Sequence, residues 1–465
     1  FLTTVLRALI ERMWFGNLSY SVVVVDPKGE TVQLVMRVVA ELLERLPPDT
    51  AASLARQLTV VRPFRGRDLV PLGMLVPDPS IDLFSHARTL LELLWRTAGA
   101  AVGIRQEVAG EFALATLIAN RISLIEAPYL LRDPDAMRDL ADKVPEPRLH
   151  AYFRSGGYAK ESRATIGGLI ARIEAVVGVS ELGAMLGAST SVDLRGAYAR
   201  GAVTLVDLDG GPLGGTAITD AIGSYCVTRL GWACFDPAAQ GNRAAGTFFV
   251  VDELARLATP SVLDVAERML TTSRWLGTSL WTAAQYANQI AELDRLLSAN
   301  TRLRLFGRTT AREIEAAIAE WVGTGSRRLR AVAPGHRSDG LELMSDAAEA
   351  RDWARRVARL PQRHFVVGDR GAPFGAQVSE TPHEDPPEWT SVPSAIRDLV
   401  ERGGHGVARE ELIAEARGIQ SRAAERLLEK IPSTSGRTTE RARAHAALPN
   451  LAEARARSRR GRDLP

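Results

Sequence analysis

Two short apolar runs with matched polar ends constrain this chain more than anything else in it. Thr247-Phe-Phe-Val-Val-Asp252-Glu253 is the first, and Ser279-Leu-Trp-Thr-Ala-Ala-Gln285 follows it. The first reads as a buried β-strand that delivers two carboxylates at its carboxyl end. The second reads as a neighbouring strand that delivers an amide at the same edge. In open α/β sheets that edge is where ligands bind. Buried carboxylates are costly unless paired or bound to a cation, so two adjacent acids are odd for a purely structural strand. Taken alone, Asp252 and Glu253 also fit a plain solvated strand end. Gln285 at the matching place on the next strand favours a nucleotide site. Asp252 would organise a Mg²⁺ water shell, Glu253 would polarise an attacking water and Gln285 would sense a γ-phosphate. A phosphate-cradling loop of the form G-x-x-x-x-G-K-[ST] does not occur in the sequence.

The surrounding rhythm predicts an α/β fold. Phe1 to Phe15 has helical spacing, Tyr20 to Val25 is a β-branched run ending in Asp26-Pro27-Lys28-Gly29, and Thr31 to Arg45 is an amphipathic helix closed by Pro47-Pro48. A continuous apolar strand of this kind suits a parallel sheet covered on both faces. Leu58 to Val61 is a further short strand. Strand signals then vanish between 78 and 200, where helical patterns dominate (Leu83–Thr97, Val108–Ile125, Asp135–Asp142, Ser162–Val177). The α/β pattern resumes over 201–379, with strands at Ala202–Asp207, Leu303–Phe306 and His364–Val367 and helices at Thr219–Leu230, Val262–Trp275 and Ala311–Val322. The predicted organisation is therefore a first core segment over 1–77, an all-helical insertion over 78–200 and a second core segment over 201–379. A Pro-rich acidic linker spans 380–393. Helical patterns at Ser394–Arg402, Arg409–Arg417 and Ser421–Ile431 fit a small winged-helix or helical module over 394–432. A packing appendage is the plainer reading of that module. Residues 433–465 read as a disordered basic tail.

Composition narrows the class. The chain has 465 residues, 46% apolar and 24% charged, with a net charge of +3, as expected of a globular protein with a substantial core. Positive charge is carried almost wholly by Arg; Lys28 is one of only four lysines, which mildly favours a specific role near phosphate. Cys226 and Cys234 are the only cysteines, and no Cys/His cluster exists, so a structural metal or disulfide framework is not expected and a reducing cytoplasm is. No apolar run approaches the ~20 residues needed to span a bilayer. The opening residues read as mid-helix, which predicts a piece of a longer protein, with any inner-membrane attachment lying upstream.

Three further elements are candidates. Arg274, ahead of the Gln285 strand, could act as an arginine finger in a neighbour's site; Arg302 and Arg308 are weaker candidates for that role. Asp26 and Lys28 sit at a strand's carboxyl end beside the acid pair, and ordinary strand-to-helix punctuation explains them equally well.

The order VVVVDPKGE, helical insertion, AVTLVDL, FFVVDELARL, SRWLGTSLWTAAQ, NTRLRLFG resembles the HerA–FtsK superfamily of ring ATPases. Within it the closest resemblance is to the coupling proteins of type IV secretion, the TraG/TraD-like group of conjugation. It covers roughly Phe1 to Gly371. The resemblance implies a RecA-like P-loop core that uses ATP and Mg²⁺. Asp252 and Glu253 take the place of the Walker B pair, Gln285 that of the strand-end glutamine and Arg274 that of the arginine before it; Asp26 to Gly29 match the Asp-Pro-Lys-Gly strand end. It implies a homo-hexamer that moves DNA through non-specific backbone contacts, with a relaxase and secretion channel proteins as partners. The Walker A loop of the family would precede Phe1. Without it, the 465 residues are expected to bind ATP weakly or not at all. A secretion ATPase that moves protein or drives pilus assembly, a repair translocase, and a non-catalytic DNA-binding adaptor lacking the P-loop are the alternatives.

Overall fold

The computed structural model describes residues 2–96, 104–161, 163–210, 216–236, 241, 244–283, 291–308, 329–331, 341–343, 345–369, 377–380 and 386–429. Gln285, the helix expected over 311–322, much of the acidic linker and the tail beyond Ser433 lie outside these residues.

From the N-terminus run α1 (Leu2–Trp14), β1 (Tyr20–Asp26), α2 (Glu30–Glu44), α3 (Pro48–Ala55), β2 (Leu58–Val61) and β3 (Asp68–Leu69). α2 ends at Glu44, ahead of Pro47-Pro48 as expected, and Pro48 opens a further helix, α3. In the first turn a proline lacks only an N–H that has no helical partner, and its fixed φ suits the helix. The insertion follows as α4 (Leu83–Arg96), α5 (Ile104–Ala119), α6 (Ala127–Leu130), α7 (Pro134–Asp142), α8 (Pro147–Arg154), α9 (Arg163–Val177) and α10 (Ser180–Leu186). Then come β4 (Val203–Asp207), α11 (Thr216–Phe235), β5 (Gly246–Val251), α12 (Leu254–Leu257), α13 (Pro260–Leu276), β6 (Thr278–Thr282), α14 (Ala291–Asn300) and β7 (Leu303–Phe306). The rest of the described chain forms β8 (Leu329–Ala331), β9 (Leu341–Leu343), α15 (Asp346–Ala358), β10 (His364–Asp369), β11 (Gln377–Glu380), α16 (Ser394–Arg402), β12 (Val407–Ala408) and α17 (Arg409–Glu429).

The fold is α/β, as the sequence predicts. One parallel sheet holds the strands in the order β2-β4-β1-β5-β6. Its apolar runs are continuous because both faces are covered, and alternate side chains enter different cores. Val23, Val25, Val206, Phe249 and Val251 join the core shared with α11, α13 and the insertion. Val22, Val24, Val203, Leu205 and Val250 join the core shared with α1 and α2. Burial of each such side chain contributes about 1.5–3 kcal/mol. Since the strands are parallel, their carboxyl ends fall on one edge. Asp26 is in register with Asp207, and the Asp252 N–H donates to the Val25 carbonyl at 2.9 Å.

The insertion leaves and rejoins the core as two adjacent strands of chain. The amides of Leu72 and Met74 donate to the Met185 and Leu186 carbonyls on the way back, at 2.9 and 2.8 Å. The strand expected at 303–306 is present, but β7 pairs antiparallel with β10 in a separate three-stranded sheet with β11.

The C-terminal elements pack on the core. Val392 and Val400 are buried in the α1/α2 core, Arg37 of α2 donates to the Pro387 carbonyl at 2.6 Å, and β12 pairs with β3. The two helices expected at 409–417 and 421–431 form a single helix, α17, up to Glu429. Gly418 costs about 1 kcal/mol there relative to Ala. The continuous buried stripe of Leu412, Ile419 and Ala423 outweighs it. Among the described residues, no helix is long and apolar enough to cross a membrane.

Candidate functional site

The turn after β1 builds one half of the site. Asp26 is fully buried, and its carboxylate accepts from the backbone N–H groups of Lys28 at 2.8 Å, Thr31 at 2.7 Å and Val32 at 3.4 Å. It thus satisfies the orphan donors at the start of α2, where a negative charge also suits the helix dipole. Gly29 precedes α2 with φ 77°, in the left-handed region, and lies against Asp207: a Cβ there would stand 2.2 Å from the Asp207 Oδ1. A glycine is required on both counts. The result holds Lys28 and Thr31 over the sheet edge.

β5 supplies the other half. Asp252 follows the strand directly, and its Oδ2 lies 3.5 Å from the Thr31 hydroxyl, which donates to it. Burial raises the Asp252 carboxyl above the usual carboxylate range; the charges of Asp26 and Glu253 push the same way, and Lys28 opposes them. A carboxylate so placed has an excess of negative neighbours and favours a cation. Among the described residues no cluster of three or more His, Cys, Asp or Glu could hold a metal ion by itself. One carboxylate beside a hydroxyl, Asp252 with Thr31, is a donor set compatible with Mg²⁺, which commonly takes one or two carboxylates and fills its shell with water and phosphate oxygens.

Glu253 stands at φ 50° and ψ 48°, a left-handed conformation that costs a non-glycine residue on the order of 1 kcal/mol or more. Strain of this kind persists only where the surroundings impose it. Its carboxylate is held between two cations: Lys28 Nζ donates to Oε1 at 2.5 Å, and Arg256 Nη1 lies 4.0 Å from Oε2. The hydrogen bond to Glu253 raises the Lys28 ammonium above its ordinary value, with burial opposing. Arg256 is itself anchored by Asp220 of α11 at 2.6 Å. Burial raises the Asp220 carboxyl, and Arg256 opposes it. At the next strand end Asp207 pairs with Arg62 at 3.1 Å and accepts from the Asp209 N–H at 3.0 Å, yet burial still leaves its carboxyl raised, because desolvation outweighs these partners and Arg65 together.

The structure thus brings together Asp26, Lys28, Asp252 and Glu253 from two parallel strands. Asp26 faces backbone donors, so its place is beneath the turn. Arg274 lies in the last turn of α13, and Gln285 is outside the described residues. Arg302 and Arg308 flank β7, both exposed. Thr31, Arg256 and Asp220 were not anticipated. Arg256 stands one helical turn beyond Glu253, a spacing that could have found it; nothing in the sequence marks Asp220.

No protein-family model matches the chain, and no curated protein sequence does. Among solved structures, the chain is similar to the bacterial conjugative coupling protein TrwBdeltaN70 in an unbound monoclinic form. The identity is 15% and the TM-score 0.45, over 78% of this chain and 85% of that one. It is also similar to VirB4 of Thermoanaerobacter pseudethanolicus, at 15% identity and a TM-score of 0.41, over 80% of this chain and 93% of that one.

Proposed function

We propose that this chain is the core of an ATP-driven DNA translocase of the conjugative coupling type, working as a homo-hexamer with a relaxase and secretion channel proteins. The observation that supports it is the convergence of Lys28, Asp252 and Glu253 at the carboxyl edge of a parallel sheet, beside a threonine hydroxyl. Glu253 would take the proton of a water that attacks the γ-phosphorus, with ADP leaving in line. Lys28 would leave Glu253 for the γ-phosphate, since both anions compete for one ammonium. Asp252, with Thr31 beside it, would hold Mg²⁺, which when bound neutralises phosphate charge. Gln285 would relay the state of the γ-phosphate, and Arg274 would complete a neighbour's site. The phosphate loop that this chemistry needs is not among these 465 residues, which alone would turn over ATP at most slowly.

The test is ATP hydrolysis by the full-length protein, with and without duplex DNA, beside Glu253→Gln. The expected result is DNA-stimulated turnover that falls by roughly 10²-fold or more in the variant, the range for loss of a general base. DNA stimulation should weaken steeply with salt, since the contacts are to the backbone. Turnover indifferent to DNA would assign the site to protein secretion or pilus assembly. Absence of turnover would leave a DNA-binding adaptor.

A further inference from the structure

The turn that carries Glu253 is held from outside the core. Arg96, at the end of α4, donates from Nη1 to the Ala258 carbonyl at 2.9 Å and from Nη2 to the Arg256 carbonyl. One turn back, Glu92 accepts from the Ser261 N–H at 3.1 Å, and the Thr89 hydroxyl meets the Ser261 hydroxyl at 3.5 Å. Residues 89, 92 and 96 share one face of a helix. Three successive positions on the first helix of the insertion therefore grip the segment 256–261. From the other side, Ser224 of α11 donates to the Leu257 carbonyl at 2.7 Å. Inside this frame Arg256 donates its N–H to the Glu253 carbonyl at 2.8 Å and sets its guanidinium between Asp220 and Glu253. The left-handed backbone of Glu253 needs restraints of this kind, and the segment just after it receives them.

We propose that Arg96 is a positioning residue for Glu253, through which the helical insertion sets the state of the acid pair. The proposal rests on the reading of Glu253 as the base. The opposite end of α4 meets α11 at His86, whose Nε2 lies 3.3 Å from Arg229 Nη1, and Arg229 also pairs at 2.7 Å with Asp78 in the segment that leads into α4. A shift of the insertion against the sheet therefore pulls on the Arg256 and Ala258 carbonyls and moves the Arg256 side chain relative to Glu253. By linkage, what binds at the acid pair also biases the insertion, which makes the insertion a reporter of nucleotide state.

The experiment uses the full-length protein with Arg96→Gln, Arg96→Lys and Glu253→Gln. Hydrogen exchange without nucleotide comes first, and it does not depend on the chemistry of the site. In Arg96→Gln the amides of 254–259 should exchange faster while those of 264–275 keep their protection. In ATP hydrolysis, Arg96→Gln should lower kcat roughly tenfold or more, the size of a small misplacement of a reacting group, with KM for ATP nearly unchanged. Arg96→Lys, which keeps a cationic donor of longer reach than the glutamine amide, should recover part of that loss. Unchanged exchange at 254–259 overturns the proposal, whatever the turnover. So does an unchanged kcat in a protein that Glu253→Gln inactivates, or a loss expressed in KM alone. Turnover that survives Glu253→Gln overturns the reading of the acid pair, and the positioning role with it.

Discussion

Gly29 has no side chain, and the site uses that lack fully. Its positive φ and the 2.2 Å approach of a would-be Cβ to Asp207 act together, so Gly29→Ala should cost about 2 kcal/mol or more in denaturant unfolding. The change should also disturb Lys28, its neighbour. Lys28 is the residue whose partner is expected to change during the reaction. Lys28→Met removes the ammonium from both Glu253 and phosphate. The expected outcome in steady-state kinetics of the full-length protein is a KM for ATP raised about tenfold, the worth of one charge-assisted hydrogen bond. A KM left unchanged would assign Lys28 to the resting protein alone.

The C-terminal helices show how an element can belong to a core far from it in sequence. Val400 of α16 is fully buried against α2 and β2, so Val400→Asp should destabilise the whole chain by more than about 2 kcal/mol, seen as a single lowered melting transition. An independent module would instead melt separately and leave the core transition in place. The strands of the parallel sheet were legible because β-branched runs buried on both faces have few other uses. The convergence of Asp26, Lys28, Asp252 and Glu253 at one edge was legible for a related reason, since parallel strands must share an edge. The break expected between 417 and 421 is absent, because Gly418, though a poor helix former, sits inside a stripe that packs. Arg96 and Asp220 were illegible, and Arg256 carried only its spacing from Glu253 as a signal. Charged residues on helices read as solvated faces, and only the crossing of α4 and α11 over one turn gives them partners. The pairing of β7 with β10 is a long-range choice that a four-residue run does not specify.

At the scale of the molecule, the insertion and the core meet through buried charge. Arg229 is almost fully buried and donates to Asp78 from Nε at 2.8 Å. Burial alone would raise the Asp78 carboxyl, but the Arg229 guanidinium and the Ser80 bonds hold it below its ordinary value. His86 donates from Nε2 to the Met74 carbonyl at 2.9 Å, while Arg229 Nη1 stands 3.3 Å away. Burial and then that guanidinium lower its imidazole from 6.5 to about 3, so the folded protein keeps it neutral. The unfolded chain takes up a proton as pH falls through the ordinary value, and the folded chain does not. The contribution of His86 to stability is therefore complete above about pH 6.5 and is lost toward acid, by up to ~1.4 kcal/mol per pH unit. His86→Gln keeps a donor for Met74 and removes the titration. Its unfolding free energy should fall less steeply than that of the parent between about pH 6 and 4. Parallel slopes would show that the site does not govern acid sensitivity.

The order of strands in the central sheet also has a history in time. β1 is the middle strand, yet Val22 meets Val203 on one side and Phe248 on the other. On a ribosome that adds about 5–20 residues each second, the finished strand waits on the order of 10 to 40 seconds for its first neighbour. Throughout that interval four consecutive valines stand without a sheet, while the helical insertion emerges and can close on local contacts alone. The nascent chain is thus most exposed to aggregation and most in need of a holding chaperone before β4 appears. A synonymous slowing of translation ahead of Val203 should reduce soluble yield, and a slowing after Thr282 should not.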